Sequence, residues 1–228
     1  MWAICVNEFK GHFKSVKSII VILIIFGITY LLADFMTNAA DQLKLGVGSD
    51  GYAIGTLFVV FGLGFLFISG LSHDLINREI STRTMRFLVT KTTRIKILLG
   101  KYLGVWFFWF FCILSSYILI SFISNDFLWL GIIDCMSFIS VALALNLIFS
   151  IFLSKPSVSM FFGIIFALVF PVIIFWSIYT DRDYISWFKF LTPYYYSTLG
   201  SYFILINFFY AAALLFIATE LFKRRDLL

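Results

Sequence analysis

Residues able to do chemistry are concentrated in one polar tract, residues 72–101, which reads SHDLINREISTRTMRFLVTKTTRIKILLGK. The tract holds seven of the seventeen basic residues, Arg78, Arg83, Arg86, Lys91, Arg94, Lys96 and Lys101, together with the acids Asp74 and Glu79. Its apolar positions, among them Leu75, Ile76, Ile80, Met85, Leu88, Val89, Ile95 and Leu98, are spaced as amphipathic helices space them. Two chemistries fit. Charge alone suffices to hold anionic lipid head groups, whereas charge interleaved with apolar positions also suits docking to a cytoplasmic protein partner. Catalytic patterns are missing: His12 and His73 stand apart, and no HExxH or GxSxG motif lies within an apolar stretch. Gly100 and Lys101 are adjacent, but Ile95 occupies the position where a GxxxxGK[ST] phosphate loop needs glycine, and Tyr102 follows the lysine. The chain is therefore expected to be no enzyme, with no catalytic residue. Cys5, Cys112 and Cys135 are far apart, with no CxxC pair, so neither a disulfide framework nor a metal site is expected.

The elements that position this tract follow from composition. Of 228 residues, 62% are hydrophobic and 21% aromatic, while only 13% carry charge. A soluble domain carries roughly a quarter charged residues, so the matching solvent is lipid. A hydrocarbon core of about 30 Å needs roughly 20 apolar residues in a helix. Stretches of about that kind run over 18–33, 52–71, 102–123, 127–153, 158–179 and 202–221. The expected fold is an all-α polytopic membrane protein with six transmembrane helices. With the N-terminus inside, fourteen of the seventeen lysines and arginines fall in cytoplasmic segments, and the outer loops keep only Lys44, Arg182 and Lys189. Positive loops resist translocation, so both termini are expected in the cytoplasm. The net charge of +5 then reports topology, and no nucleic-acid partner is implied.

Residues 1–17 form a separate unit. Trp2, Cys5, Phe9, Phe13 and Val16 share one helical face and Lys10, Lys14 and Lys17 the other, as in an amphipathic helix lying at the membrane surface. A cleaved signal peptide is the competing reading, but the charged stretch is long for one and no small-x-small site follows Leu32. The chain reads as a single transmembrane domain: leader 1–17, two spans in 18–71, the polar loop 72–101, four spans in 102–222 and a tail 223–228. Two short helices are expected in the loop, with a break around residues 90–93 where β-branched residues lower helix propensity. Asp134 is a candidate intramembrane polar site if its helix starts near Phe127, and an interfacial residue if it starts near Ile132. Glu220 pairs naturally with Lys223 and Arg224 at a helix end. Residues 180–200 carry Tyr184, Trp187, Phe188, Phe190, Pro193, Tyr194, Tyr195 and Tyr196, the profile of an aromatic belt or a short surface helix. Gly51 with Gly55, and Gly100 with Gly104, have GxxxG spacing but fall at expected helix ends, so no role is assigned to them.

The order of features in the loop resembles that of ABC type-2 transporter permeases, the membrane-spanning subunits of bacterial ABC exporters. The residues that carry the resemblance are Glu79, Thr84 and Arg86, then Phe87 and Leu88, then Arg94, Leu98, Leu99, Gly100 and Lys101. The leader is similar to that family's elbow helix, and the six-span topology covers the full length. Arg83 departs from the usual glycine, and Thr92 lies near the usual proline. The resemblance implies a permease chain that pairs with a second one, identical or different, in the plasma membrane. A pair of separate ATP-binding subunits would supply ATP and Mg, so this chain would bind no cofactor itself. The coupling surface would be built from Asp74, Arg78, Glu79, Arg83, Thr84, Arg86, Arg94 and Lys101. An aromatic, sparsely charged interior suits an amphipathic cargo such as an antimicrobial or toxin-like peptide. A membrane accessory or immunity protein that binds a peptide or membrane partner without transport is the alternative.

Overall fold

The computed structural model describes residues 1–42, 50–124, 127–153, 155–179 and 187–225, with side chains except at 32–34, 36–42, 50–55, 123–124 and 201. The helices are α1 Trp2–Lys14, α2 Val16–Gln42, α3 Asp50–Ser72, α4 Asn77–Ser81, α5 Met85–Lys91, α6 Arg94–Ser124, α7 Trp129–Phe152, α8 Pro156–Tyr179, α9 Pro193–Leu199 and α10 Ile204–Arg224. Short 3-10 turns at Trp187–Leu191 and Ser201–Phe203 flank α9. Among the described residues there is no β-strand.

Among the described residues, five segments are long and apolar enough to cross a membrane: Thr56–Ser81, Arg94–Phe122, Trp129–Phe152, Pro156–Tyr179 and Ile204–Arg224. A sixth arises if α1 and Val16–Leu31, which meet at a bend of 72°, count as one broken span. The described residues are thus all-helical with five to six potential spans, an architecture compatible with a multi-pass membrane protein. The central element is α7, which is buried over most of its length between α3 and α10 and packs Phe138, Val141, Leu143 and Leu147 into the core. At the rim, α8 leaves Phe161, Leu168, Val172 and Trp176 exposed. Side chains of this kind on water-facing surfaces would drive association, and hydrocarbon is the solvent that suits them.

Two short helices, α4 and α5, lie inside the polar tract as the sequence predicts, but they are separated at residues 82–84, where Arg83 is left-handed; the expected break at 90–93 falls after α5, where Thr92 is extended before α6 begins. The start of the third span differs. The apolar pattern places it at Tyr102, but α6 already begins at Arg94. Nothing in RIKILLGK breaks a helix, since a single glycine costs only about 1 kcal/mol, and Ile97 and Leu98 are fully buried there. The polar loop therefore hands over directly to a helix long and apolar enough to cross a membrane. In the aromatic segment the surface-belt expectation fails for Tyr194, which is buried against Phe61 and Phe138 and donates a hydrogen bond to the Phe61 carbonyl at 2.9 Å. Lys44, Asp126, Asp181, Arg182, Asp183 and Tyr184 lie outside the described residues, as do the side chains of Asp34, Asp41 and Asp50 and the surroundings of Gly51 and Gly55.

Candidate functional site

The polar tract is tied at four points to four different elements, and each tie has a local cause. The first is at the start of α4, where the Arg78 amide bonds back to the Asp74 carbonyl but the Ile76 and Asn77 amides have no backbone acceptor among the described residues. The Ser150 hydroxyl on α7 accepts from the Ile76 amide at 2.9 Å and the Asn77 amide at 3.2 Å, serving as a cap supplied from another helix. The second is on α8, where Ser159 donates to the His73 carbonyl at 3.0 Å. The third is Arg94, whose Nη1 donates to the carbonyls of Phe222, Lys223 and Arg225 at 3.1, 2.7 and 3.0 Å. A cation over the open carbonyls of a helix C-terminus satisfies orphan acceptors and the helix dipole together.

The fourth tie is electrostatic. Lys101 on α6 has a side chain only 4% exposed, and its ammonium sits 2.6 Å from Glu8 Oε1 on α1 and 2.8 Å from Glu79 Oε1 on α4. An unpaired ammonium at that depth would be prohibitively costly, so both carboxylates are needed to hold it. Glu79 Oε2 is buried and accepts no hydrogen bond among the described residues. Helix α1 reaches Glu8 into this position because Gly100 and Gly104 on α6 let it approach. A Cβ on Gly104 would stand 2.7 Å from the Cys5 carbonyl oxygen, and one on Gly100 would stand 2.9 Å from that of Met1.

Of the residues assigned to the coupling surface, Asp74, Arg78, Glu79, Thr84 and Lys101 converge on one cleft beside α1. Arg78 faces Asp74 at 3.9 Å, and the Thr84 hydroxyl donates to the Glu79 carbonyl at 3.4 Å. Arg83 and Arg86 are exposed on the outer side of the loop, where Phe87 is 72% exposed. Arg94 stands apart from this group, at the end of α10. Arg83 has φ 59°, a left-handed conformation in the turn between α4 and α5 that favours glycine.

Asp134 is at the opposite end of α7 from Ser150, about 24 Å away at the helical rise per residue. The helix starts at Trp129, between the two starts that the sequence leaves open, and Asp134 is buried within the protein. Ser197 of α9 donates to Asp134 Oδ1 at 2.7 Å. Asn207 of α10 donates through Nδ2 to the Pro193 carbonyl at 3.2 Å, with longer contacts to the Ser137 and Ser197 hydroxyls at 3.3 and 3.4 Å. This cluster staples the short helix α9 onto α7 and α10. Glu220 pairs with Lys223 at 2.6 Å, as expected from their spacing.

The sequence alone assigns no role to Glu8, Ser150, Ser159, Gly100, Gly104, Ser197 or Asn207. The GxxxG spacing of Gly100 and Gly104 is the available signal, and it looks idle as long as α6 is placed to begin at Tyr102. No metal-binding group of three or more histidine, cysteine or acidic side chains is present among the described residues. No family model matches the chain, and no curated protein sequence matches it.

Proposed function

We propose that this chain is the membrane-spanning subunit of an ABC exporter, working as a dimer and driven by separate ATP-binding subunits that dock on residues 72–101. The observation that carries the reading is the Lys101 bridge between Glu8 and Glu79. Because one buried ammonium joins the loop helix α4 to both α1 and α6, a push on the loop is transmitted to a long apolar helix without an intervening flexible joint. The exposed side of the loop offers Arg83, Arg86 and Phe87, a cationic rim around an aromatic anchor, which suits a protein partner. The left-handed Arg83 also occupies the position where the permease loops it resembles have glycine. In this reading α1 is the elbow helix, both termini face the cytoplasm, ATP and Mg belong to the partner, and the cargo is an amphipathic peptide.

Copurification tests the assignment. The tagged chain, extracted in mild detergent from its native host, should bring down a subunit with a phosphate-loop motif, and Arg86→Glu should reduce that recovery by about tenfold or more. Glu79→Gln should keep the partner bound while lowering transport per ATP hydrolysed. Recovery without any ATPase under every growth condition would leave the non-transporting accessory protein as the better reading.

A further inference from the structure

Between α1, the first turn of α2, the end of α3 and the loop helix α4 lies a cleft of about 780 Å³. Its wall carries five cations, Lys10, Lys14, Lys17, Arg78 and Lys101, against the three carboxylates of Glu8, Asp74 and Glu79. All three carboxylates already face a cation, Glu8 and Glu79 at Lys101 and Asp74 at Arg78. Lys10, Lys14 and Lys17 form no ion pair among the described residues. The cleft is therefore positively charged at its α1–α2 side.

The backbone adds to this. The chain bends by 72° between α1 and α2, so α2 starts afresh. Its run of backbone bonds opens with the Ile19 amide donating to the Ser15 carbonyl at 3.2 Å, which leaves the amides of Val16, Lys17 and Ser18 as the free donors of a helix N-terminus. Such a terminus attracts anions. Independently, Ser18 is fully buried, lines the cleft, and its hydroxyl has no hydrogen-bond partner. A buried hydroxyl left unbonded is costly, and a ligand oxygen in the cleft would remove that cost.

We propose that this cleft binds a phosphate group, held by the α2 amides, the Ser18 hydroxyl, Lys14 and Lys17, and supplied by the head group of an anionic phospholipid. The side chains next along α2 favour the lipid source: Ile19, Ile20 and Leu23 are exposed and apolar over the turns after Ser18, a lane for an acyl chain below its phosphate. Free phosphate carries the same oxygen chemistry without using that lane. The site does not depend on the exporter reading.

The test uses the full chain, reconstituted in vesicles of equal parts phosphatidylcholine and phosphatidylglycerol and then released for native mass spectrometry. Wild type should retain phosphatidylglycerol in preference to phosphatidylcholine. The double variant Lys14→Gln with Lys17→Gln should lose that preference by about tenfold or more, and Ser18→Ala by about threefold. Lys96→Gln, an exposed cation outside the cleft, should leave it unchanged. Equal retention of the two lipids, or an equal loss in Lys96→Gln, overturns the site as a lipid site. A parallel thermal titration with inorganic phosphate in neutral detergent separates the sources. Stabilisation by phosphate that the double variant abolishes, without phosphatidylglycerol preference, assigns the site to a soluble ion and overturns the lipid source. No response to either probe overturns the proposal entirely.

Discussion

Gly104 lies so close to Cys5 that a methyl group on the glycine would stand 2.7 Å from the Cys5 carbonyl oxygen. It would also stand 2.7 Å from the Glu8 Cβ, and neither a backbone carbonyl nor a Cβ can swing aside to make room. Gly104→Ala should therefore lift α1 from α6 at a cost of about 1–3 kcal/mol. Cys5, Cys112 and Cys135 are all buried, which makes the displacement directly readable: maleimide labelling of Cys5 should be slow in the wild type and fast in the variant. Unchanged labelling would show that α1 is not seated by this glycine.

Lys101→Met should destabilise the protein by about 3 kcal/mol, because it strands Glu8 and Glu79 facing each other without their shared cation. Adding Glu8→Gln and Glu79→Gln to Lys101→Met should recover much of that loss, since the variant no longer holds buried charge. The thermal midpoint in detergent of the single and triple variants measures it. A single variant as stable as the wild type would mean that the bridge adds nothing to the fold.

Arg83→Gly should raise stability by about 1 kcal/mol, because a left-handed φ of 59° is unfavourable for any side chain with a Cβ and free for glycine. Arg83→Ala keeps the backbone cost and removes only the charge, so it should leave the midpoint nearly unchanged. The pair separates conformation from electrostatics.

His12 carries a pH dependence whose sign follows from its surroundings. Its ring packs 5.1 Å from that of Phe108. Burial disfavours the imidazolium most, with Lys101 acting in the same sense and Glu8 and Asp74 opposing, and the result is a pKa below the ordinary histidine range. The unfolded chain binds the proton more readily than the folded one, so stability rises with pH in this window. His12 is then harmless above its unfolded pKa of about 6.5 and costs stability as pH falls through it. Thermal midpoints of the wild type should drop faster than those of His12→Phe on acidification below neutrality.

Much of the architecture is legible in the sequence because it rests on local pattern. Apolar length locates the helices able to span a membrane, and the β-branched residues at 90–93 locate the break after α5. Contacts between distant segments are not legible. Nothing periodic links Glu8 to Lys101, and a single acid in a leader helix reads as surface charge until α6 brings an ammonium to it. The role of Gly104 is hidden by the helix boundary, since a GxxxG pair looks idle at a helix end and becomes a packing face two turns inside. The depth of Asp134 depends on α9, a helix whose aromatic sequence gives no hint that Ser197 turns inward.

Ser197→Ala should cost about 1–3 kcal/mol, as it removes the hydroxyl that donates to Asp134 at 2.7 Å. Asp134→Asn keeps an acceptor for that hydroxyl and removes the charge, so it should be tolerated within about 1 kcal/mol. If Asp134 also serves transport, Asp134→Asn will lose activity at full stability, and a transport assay on the folded variant decides it.

Arg94 imposes an order of events on the maturing polypeptide. Its three acceptors belong to Phe222, Lys223 and Arg225, so the guanidinium remains unclamped during synthesis until the ribosome has added those residues. The start of α6 consequently passes through an unclamped stage while the later helices are still being made. Those three carbonyls thus reach the arginine only once the last helix has docked beside α6.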